Sequence, residues 1–475
     1  MYLFALVLHV LINFLLGYGI LNAVFKGKFL PRNIFSITLV GIFLETSLCF
    51  LLIHLGIPFK VATLILIFLT ILLNIKTLIH FFSNNFSSFL LNIFKYIKSI
   101  KWYEWGLFLL IAEKIGVIIW QLLRMPAYHS DTLKYWATFG KALYSGQNFS
   151  TNPEHVDFLA RPLTRIVDYP FQMPIYRAIQ ATFNFEWNEF VARCDGLVFF
   201  LILCGLVGSF FYELTNKRWM SLGAMYIIAS LPLQVWHAAS GYADIAVEAY
   251  IAAAVISFIR KEWLLCGLLM AGATWTKNDA LALFLPGILA AGFVYHVFSK
   301  GVTSLEKIKK MGQFAGGYAL VIPWLIYQAI YGASVFKQFL IPFKSEDSLG
   351  YQHYDPNDYK VVLTQVGETF EGSTPSYQLF WDSVFLGSSH GIFWLAIFVA
   401  LLLLLKRMLS DLMGRSLLLF FLIYCSTIYY LFTYTHAYEF LLIQTTVHRT
   451  LLQFSTAALI IVGYGMSLSP EKHKT

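Results

Sequence analysis

Long apolar runs recur from one end of this chain to the other, and no other feature limits its folding so strongly. A helix of about 20 residues spans the hydrocarbon core of a bilayer. About thirteen runs of that order can be marked out, at 2–24, 34–55, 59–81, 104–123, 190–214, 219–237, 243–260, 263–277, 279–298, 312–332, 389–406, 416–434 and 448–468. Hydrocarbon offers the backbone no hydrogen-bond partner, so such runs cross as helices. The eighth is short and reads as tilted or broken. Charged residues are 13% of the chain, roughly half the share usual in a soluble domain. The expected class is an all-α polytopic membrane protein. The first run has no basic region before it and no small-residue cleavage site after it, so it reads as a retained helix.

Lysine and arginine set the orientation. Lys26, Lys28 and Arg32, then Lys95, Lys98 and Lys101, then Lys217 and Arg218, fall on one side, as do Arg260 and Lys261, Lys300 to Lys310, Lys406 to Arg415 and the tail 471–475. Positive residues concentrate on the cytoplasmic face, which places the N-terminus outside and the C-terminus in the cytoplasm. The same placement accounts for the net charge of +8, so no nucleic-acid partner is implied. Five cysteines in or beside apolar runs show no metal-ligand spacing and no disulfide framework.

Two large loops, 124–189 and 333–388, consequently face outward. In the first, Leu133, Trp136, Ala137 and Gly140 form the apolar face of an interfacial helix starting beside Asp131. A second such helix follows Pro170 through Met173, Ile175, Tyr176, Ile179 and Phe183, with Arg177, Gln180 and Asn184 making it too polar to cross lipid alone. In the second loop, residues 351–359 gather tyrosines, His353 and carboxylates suited to stacking on a sugar, or to an ordinary loop. The chain divides into a three-helix module (1–103), a core (104–332), the outward loop (333–388) and C-terminal helices with a cytoplasmic tail (389–475).

Several short motifs follow one another in order. After the span at 104–123 come Tyr128-His129-Ser130-Asp131, Asp168-Tyr169-Pro170-Phe171-Gln172-Met173-Pro174, and Glu189-Phe190-Val191-Ala192-Arg193 opening the next span. Leu231-Pro232-Leu233, Gly241-Tyr242-Ala243-Asp244 and Gly272-Ala273-Thr274-Trp275-Thr276-Lys277-Asn278-Asp279 lie at outer helix ends, and His448-Arg449-Thr450-Leu451-Leu452 opens a late helix. From about residue 104 to 300 this ordered set resembles the GT-C superfamily of polytopic glycosyltransferases, which includes protein O-mannosyltransferases and lipid A aminoarabinose transferases. The bacterial members are the most similar. The first hundred residues and loop 333–388 carry no part of the resemblance.

The resemblance implies a GT-C-like fold in a bacterial plasma (inner) membrane, with an extracytoplasmic active site. The implied reaction moves a monosaccharide from a polyprenyl-phosphate donor to a glycan, lipid or protein acceptor, with inversion. Asp131 matches the catalytic carboxylate, a general base for the acceptor hydroxyl. Asp168 and Asp244 match substrate-orienting acids, and Lys277 and Arg449 lie where cations would hold the carrier phosphate. No cofactor is implied, and a divalent metal has no support in the residues. A lone acid at 131 departs from the Asp-Glu pair of protein O-mannosyltransferases, which counts against a protein acceptor.

Residue types alone leave other roles open. Asp131 and Asp244 suit helix N-caps, Asp168 the start of the helix after Pro170, and Lys277 and Arg449 ion pairing with Asp279 or Glu439, or snorkelling. His448, Tyr169, Lys134 and Lys141 would support a site or sit at an interface. Rival functions are a flippase for a lipid-linked sugar, using Glu45, Glu113, Lys114 and Glu248 as an intramembrane path, and a polysaccharide polymerase or ligase. No inverted repeat is visible for the first. Glu113 and Lys114, adjacent on one helix, are expected to point apart and find other partners.

Overall fold

The computed structural model describes residues 1–25, 33–80, 83, 91, 95–147, 169–331, 376–387, 389–434, 441 and 446–468. Among these, the first group of helices is α1 (Tyr2–Phe25), α2 (Ile34–His54), α3 (Phe59–His80) and α4 (Trp102–Arg124). A π-helical turn (Thr132–Trp136) leads into α5 (Ala137–Gly146), followed by α6 (Gln172–Asn184), α7 (Asp195–Thr215), α8 (Arg218–Ala229), α9 (Pro232–Ser240), α10 (Asp244–Ile259) and α11 (Trp263–Thr276). A second π-turn (Ala280–Phe284) opens α12 (Leu285–Phe298), and α13 (Ser304–Tyr318) passes through a 3₁₀ turn into α14 (Ile322–Tyr331). The rest are α15 (Ser376–Phe385), α16 (Phe393–Ser410), α17 (Leu412–Tyr434) and α18 (Thr446–Ser467).

Nine helices among the described residues are long and apolar enough to cross a membrane, so the protein is an all-α polytopic membrane protein. A tenth span is formed if α8 and α9 count together, bent by 67°. The bend has a local cause: Pro232 opens α9, and Leu231 before it is extended, with φ −64° and ψ 121°, as a following proline ring requires. The runs at 243–260 and 263–277 are helical as expected but short, 16 and 14 residues, or about 24 and 21 Å at the helical rise. The basic stretch Lys300 to Lys310 is partly helical rather than loop, because Thr303 and Glu306 close a capping box at the start of α13.

Helix α10 is the centre of the bundle, buried from Asp244 through Phe258 and packed against α2, α7, α11 and α18. The N-terminal helices join this body through α1, which packs on α6, and α2, which touches α6, α7, α10 and α11. Helices α1 and α2 approach at Gly17 and Gly41, where a Cβ on either glycine would run into a backbone carbonyl of the other helix. Such small-residue contacts are the usual means of close helix packing in lipid.

Both expected loop helices are present, but neither lies as a polar strip on a surface. Trp136, Ala137 and Gly140 are buried while Leu133 is exposed. In α6 the polar side chains turn to protein: Gln172 donates to Tyr250 Oη at 2.6 Å and accepts from Thr276, and Gln180 meets His9 at 2.8 Å. His9 also lies 2.9 Å from Glu45, which accepts from Asn13 at 2.7 Å. The polarity that suggests a water-facing helix is thus consumed by buried partners. Glu113 and Lys114 correct the sequence reading: their flexible chains bend together into an ion pair of 2.9 Å on the exposed side of α4.

Candidate functional site

Four helix ends meet at one end of the bundle. Asp244 begins α10, Lys277 follows the last residue of α11, Asp279 precedes the π-turn leading to α12, and Arg449 lies in the first turn of α18. Acids at helix N-termini and a cation at a C-terminus match the helix dipoles. Arg449 does not, and its charge is met by carboxylates instead.

The side chains form one continuous network. Arg449 donates through Nη1 to Asp131 at 2.8 Å, and through Nε and Nη2 to Asp244 Oδ2 at 3.2 and 2.8 Å. Asp244 Oδ1 accepts from Lys277 Nζ at 2.9 Å and from Gln453 Nε2 at 2.7 Å. Lys277 also pairs with Asp279 at 2.6 Å, and Gln453 reaches the same carboxylate at 3.0 Å. The Asp244 side chain is wholly buried, whereas Asp131 is 29% exposed. Burying a carboxylate is costly unless cations and hydrogen bonds surround it, and Asp244 has both. Among the described residues, three carboxylates face two cations, an excess of one formal negative charge.

The turn before Asp244 is held from several directions. Gly241 has φ +80°, and a Cβ there would stand 2.9 Å from side-chain atoms of both Arg193 and Thr132. Its carbonyl accepts from Arg177, which is fully buried and paired with Asp195 at 2.8 Å. Arg193 donates to the carbonyls of Ala239, Leu122 and Met125, tying α9 to the end of α4. Thr132, next to Asp131, donates to the Ser240 carbonyl at 2.7 Å. One clamp therefore positions both Asp131 and Asp244.

Aromatic rings surround the network. The Arg449 guanidinium stacks on Tyr242 at 4.3 Å, a cation–π contact. His129 meets Trp236 and Tyr242 edge-on at 4.6 and 5.6 Å, and burial, with Arg193 nearby, pushes its ring below the usual histidine range. Tyr169 packs on Tyr135 and Trp136. Burial pushes its hydroxyl up to about 12, and it lies within electrostatic reach of Lys277, Asp279 and Asp131.

Of the five residues singled out from the sequence, the structure brings Asp131, Asp244, Lys277 and Arg449 together; Asp168 lies outside the described residues. The N-cap alternative does not describe Asp131, whose side chain makes no capping hydrogen bond. Ion pairing of Lys277 with Asp279 is present, alongside the pairing with Asp244. Glu439 and residues 351–359 lie outside the described residues. His448 is buried with its carbonyl 3.0 Å from His390 Nε2, and Lys134 and Lys141 are exposed. Sequence reasoning missed Gln453 and His237. Gln453 is four residues beyond Arg449, on the same face of α18. His237 lies buried with Nδ1 3.8 Å from Asp244, and nothing local in α9 marks it.

The residues of the intramembrane path are each taken up by local partners. Glu45 is held by His9 and Asn13, Glu113 and Lys114 by each other, and Glu248 by Ser455, Thr456 and Gln234. Among the described residues no group of three His, Cys, Asp or Glu side chains has a metal-binding arrangement. Comparison with protein families, characterised proteins and solved structures finds no match to this chain.

Proposed function

We propose that this protein is a GT-C-like, inverting glycosyltransferase that moves a monosaccharide from a polyprenyl-phosphate donor to an acceptor at the extracytoplasmic face of a bacterial inner membrane. In this reading the short helices α10 and α11 and the α13–α14 stretch also cross, giving thirteen spans. The observation that carries the reading is Arg449, one guanidinium shared between a part-exposed carboxylate, Asp131, and a buried one, Asp244.

The shared cation suggests a sequence of events. A phosphate reaching Arg449 must displace a carboxylate, because both edges of the guanidinium are already taken. Asp131 is the exchangeable partner, because Asp244 is buried and held by four contacts. Donor phosphate takes the Nη1 edge of Arg449, and Lys277 adds a second positive charge. A carboxylate released from its cation accepts a proton more readily. Asp131 then takes the acceptor hydroxyl proton while the acceptor oxygen bonds to the anomeric carbon. The bond from that carbon to the phosphate oxygen breaks, and polyprenyl phosphate leaves with its new charge facing Arg449 and Lys277. Asp244 acts as a positioning residue for the two cations, rather than as a substrate contact. Asp168 is retained as a candidate substrate-orienting acid.

The test uses purified full-length wild type and Asp131→Asn, a panel of radiolabelled polyprenyl-phosphate sugars, and extracted envelope glycolipids as acceptors. Release of polyprenyl phosphate should fall by roughly 10²–10⁴-fold in the variant, while donor binding is kept or tightened because the neutral amide no longer competes as an anion. Equal transfer by both proteins removes Asp131 as the base. Absence of transfer from every donor removes the glycosyltransferase reading.

A further inference from the structure

A crevice of about 420 Å³ opens at the opposite end of the bundle, between α12 and α13. Its lining includes Phe258 at the end of α10 and Trp263 at the start of α11, whereas Asp244 and Lys277 occupy the other ends of those helices. Ile288, Phe293, Met311 and Phe314 make most of the remaining wall apolar. The volume falls within the range of roughly 300–1,000 Å³ typical of ligand pockets.

Two features of this crevice point to a ligand with polar oxygens. Trp263 and His296 both line it, are each 4% exposed, and pack ring on ring at 4.4 Å. Trp263 Nε1 and His296 Nε2 are nevertheless buried with no hydrogen-bond partner among the described residues. Buried polar atoms without partners are uncommon in native structures. Cations stand around the crevice: Lys307 Nζ donates to the Val297 carbonyl at 3.3 Å, Lys307 and Lys310 both act electrostatically on His296, and Lys261 sits 5.5 Å from the Tyr295 ring. Helix α13 also leaves Leu305, Ile308 and Met311 exposed beside those lysines, the composition of a helix at a membrane surface.

We propose that the crevice binds one anionic glycerophospholipid from the leaflet on the basic side. One acyl chain lies along Phe258, Ile288, Phe293 and Met311. Ester or phosphate oxygens accept from Trp263 Nε1 and, in its Nε2-protonated form, from His296, and the phosphate faces Lys261, Lys307 and Lys310. An apolar slot, two unpaired ring nitrogens and a cationic rim together match this ligand, whereas a zwitterionic lipid would bring its own cation to the lysines.

The experiment places the full chain in nanodiscs containing trace diazirine-bearing phosphatidylglycerol or phosphatidylcholine, and maps photolabel by peptide mass spectrometry. Phosphatidylglycerol should label residues 288–296 and 308–315 more strongly than phosphatidylcholine. Lys307→Gln and Lys310→Gln should each weaken phosphatidylglycerol labelling roughly five-fold. Gly312→Trp should abolish it by filling the slot, since a Cβ at Gly312 meets nothing within 4 Å. Gly292→Leu is a second filling variant, because its nearest neighbour is a Phe258 ring carbon at 3.8 Å. Equal labelling by the two lipids in wild type overturns the proposal without any variant, and so does labelling that survives both filling substitutions.

Discussion

Arg449 uses both edges of its guanidinium and one face, so no other cation fits its place. Lysine would keep the charge but lose the bidentate grip on Asp244 and the stacking on Tyr242. Arg449→Lys is therefore expected to lower transfer by more than about 100-fold in the polyprenyl phosphate release assay. Arg449→Ala leaves Asp244 buried with less compensation and should cost about 3–5 kcal/mol, read as earlier unfolding in SDS titration. At Gly241, alanine would need a positive φ and would press on Arg193 and Thr132. Gly241→Ala should cost about 1–3 kcal/mol in the same titration. Asp131, Asp244, Lys277 and Arg449 are legible in the sequence through the ordered motifs that hold them at outer helix ends, since residue type alone leaves each open to capping, ion pairing or snorkelling. Gln453 and His237 are not, because an amide or imidazole inside an apolar helix gains meaning only from its neighbour in space.

Among the elements, α10 and α18 share a polar seam extending beyond the charge network. Four residues after Asp244, Glu248 accepts from Ser455, from the Thr456 hydroxyl and amide, and from Gln234, with no cation among these partners. The Gln234 Oε1 atom has no hydrogen-bond partner among the described residues, so a flip of its amide would supply an acceptor to a glutamine side chain replacing Glu248. Glu248→Gln should therefore change stability by less than about 1 kcal/mol, whereas Glu248→Leu, which strands the donors, should cost about 1–3 kcal/mol; SDS titration separates them. The apolar runs are readable because hydrocarbon imposes length and composition directly. The 67° break between α8 and α9 is less readable, since proline is common in membrane helices that stay straight enough to cross. Helix α6 reads as interfacial from its polarity, because a sequence does not say whether water or protein meets a buried glutamine.

Across the whole molecule, the charge network and the lysines of α13 occupy opposite ends of the bundle. Single cysteines replacing exposed Lys134 and Lys309 should react with an impermeant thiol reagent from opposite sides of the membrane, Lys134→Cys from outside. Reaction of both from one side would break the proposed topology. The native cysteines leave little background, since Cys49, Cys194, Cys204 and Cys266 are buried and Cys425 is partly so. Overall class was legible because composition alone fixes the solvent, whereas the meeting of residues 131, 244, 277 and 449 depends on packing between distant helices. That meeting also has a temporal side. A ribosome makes Asp131, Asp244 and Lys277 long before Arg449, so Asp244 enters the bilayer with one of its two cations still unmade. Until α18 is inserted, the acids described at that end of the nascent bundle have Lys277 but not Arg449 to face them, and a chain arrested before residue 446 should be cleared by membrane proteases far faster than the full-length chain.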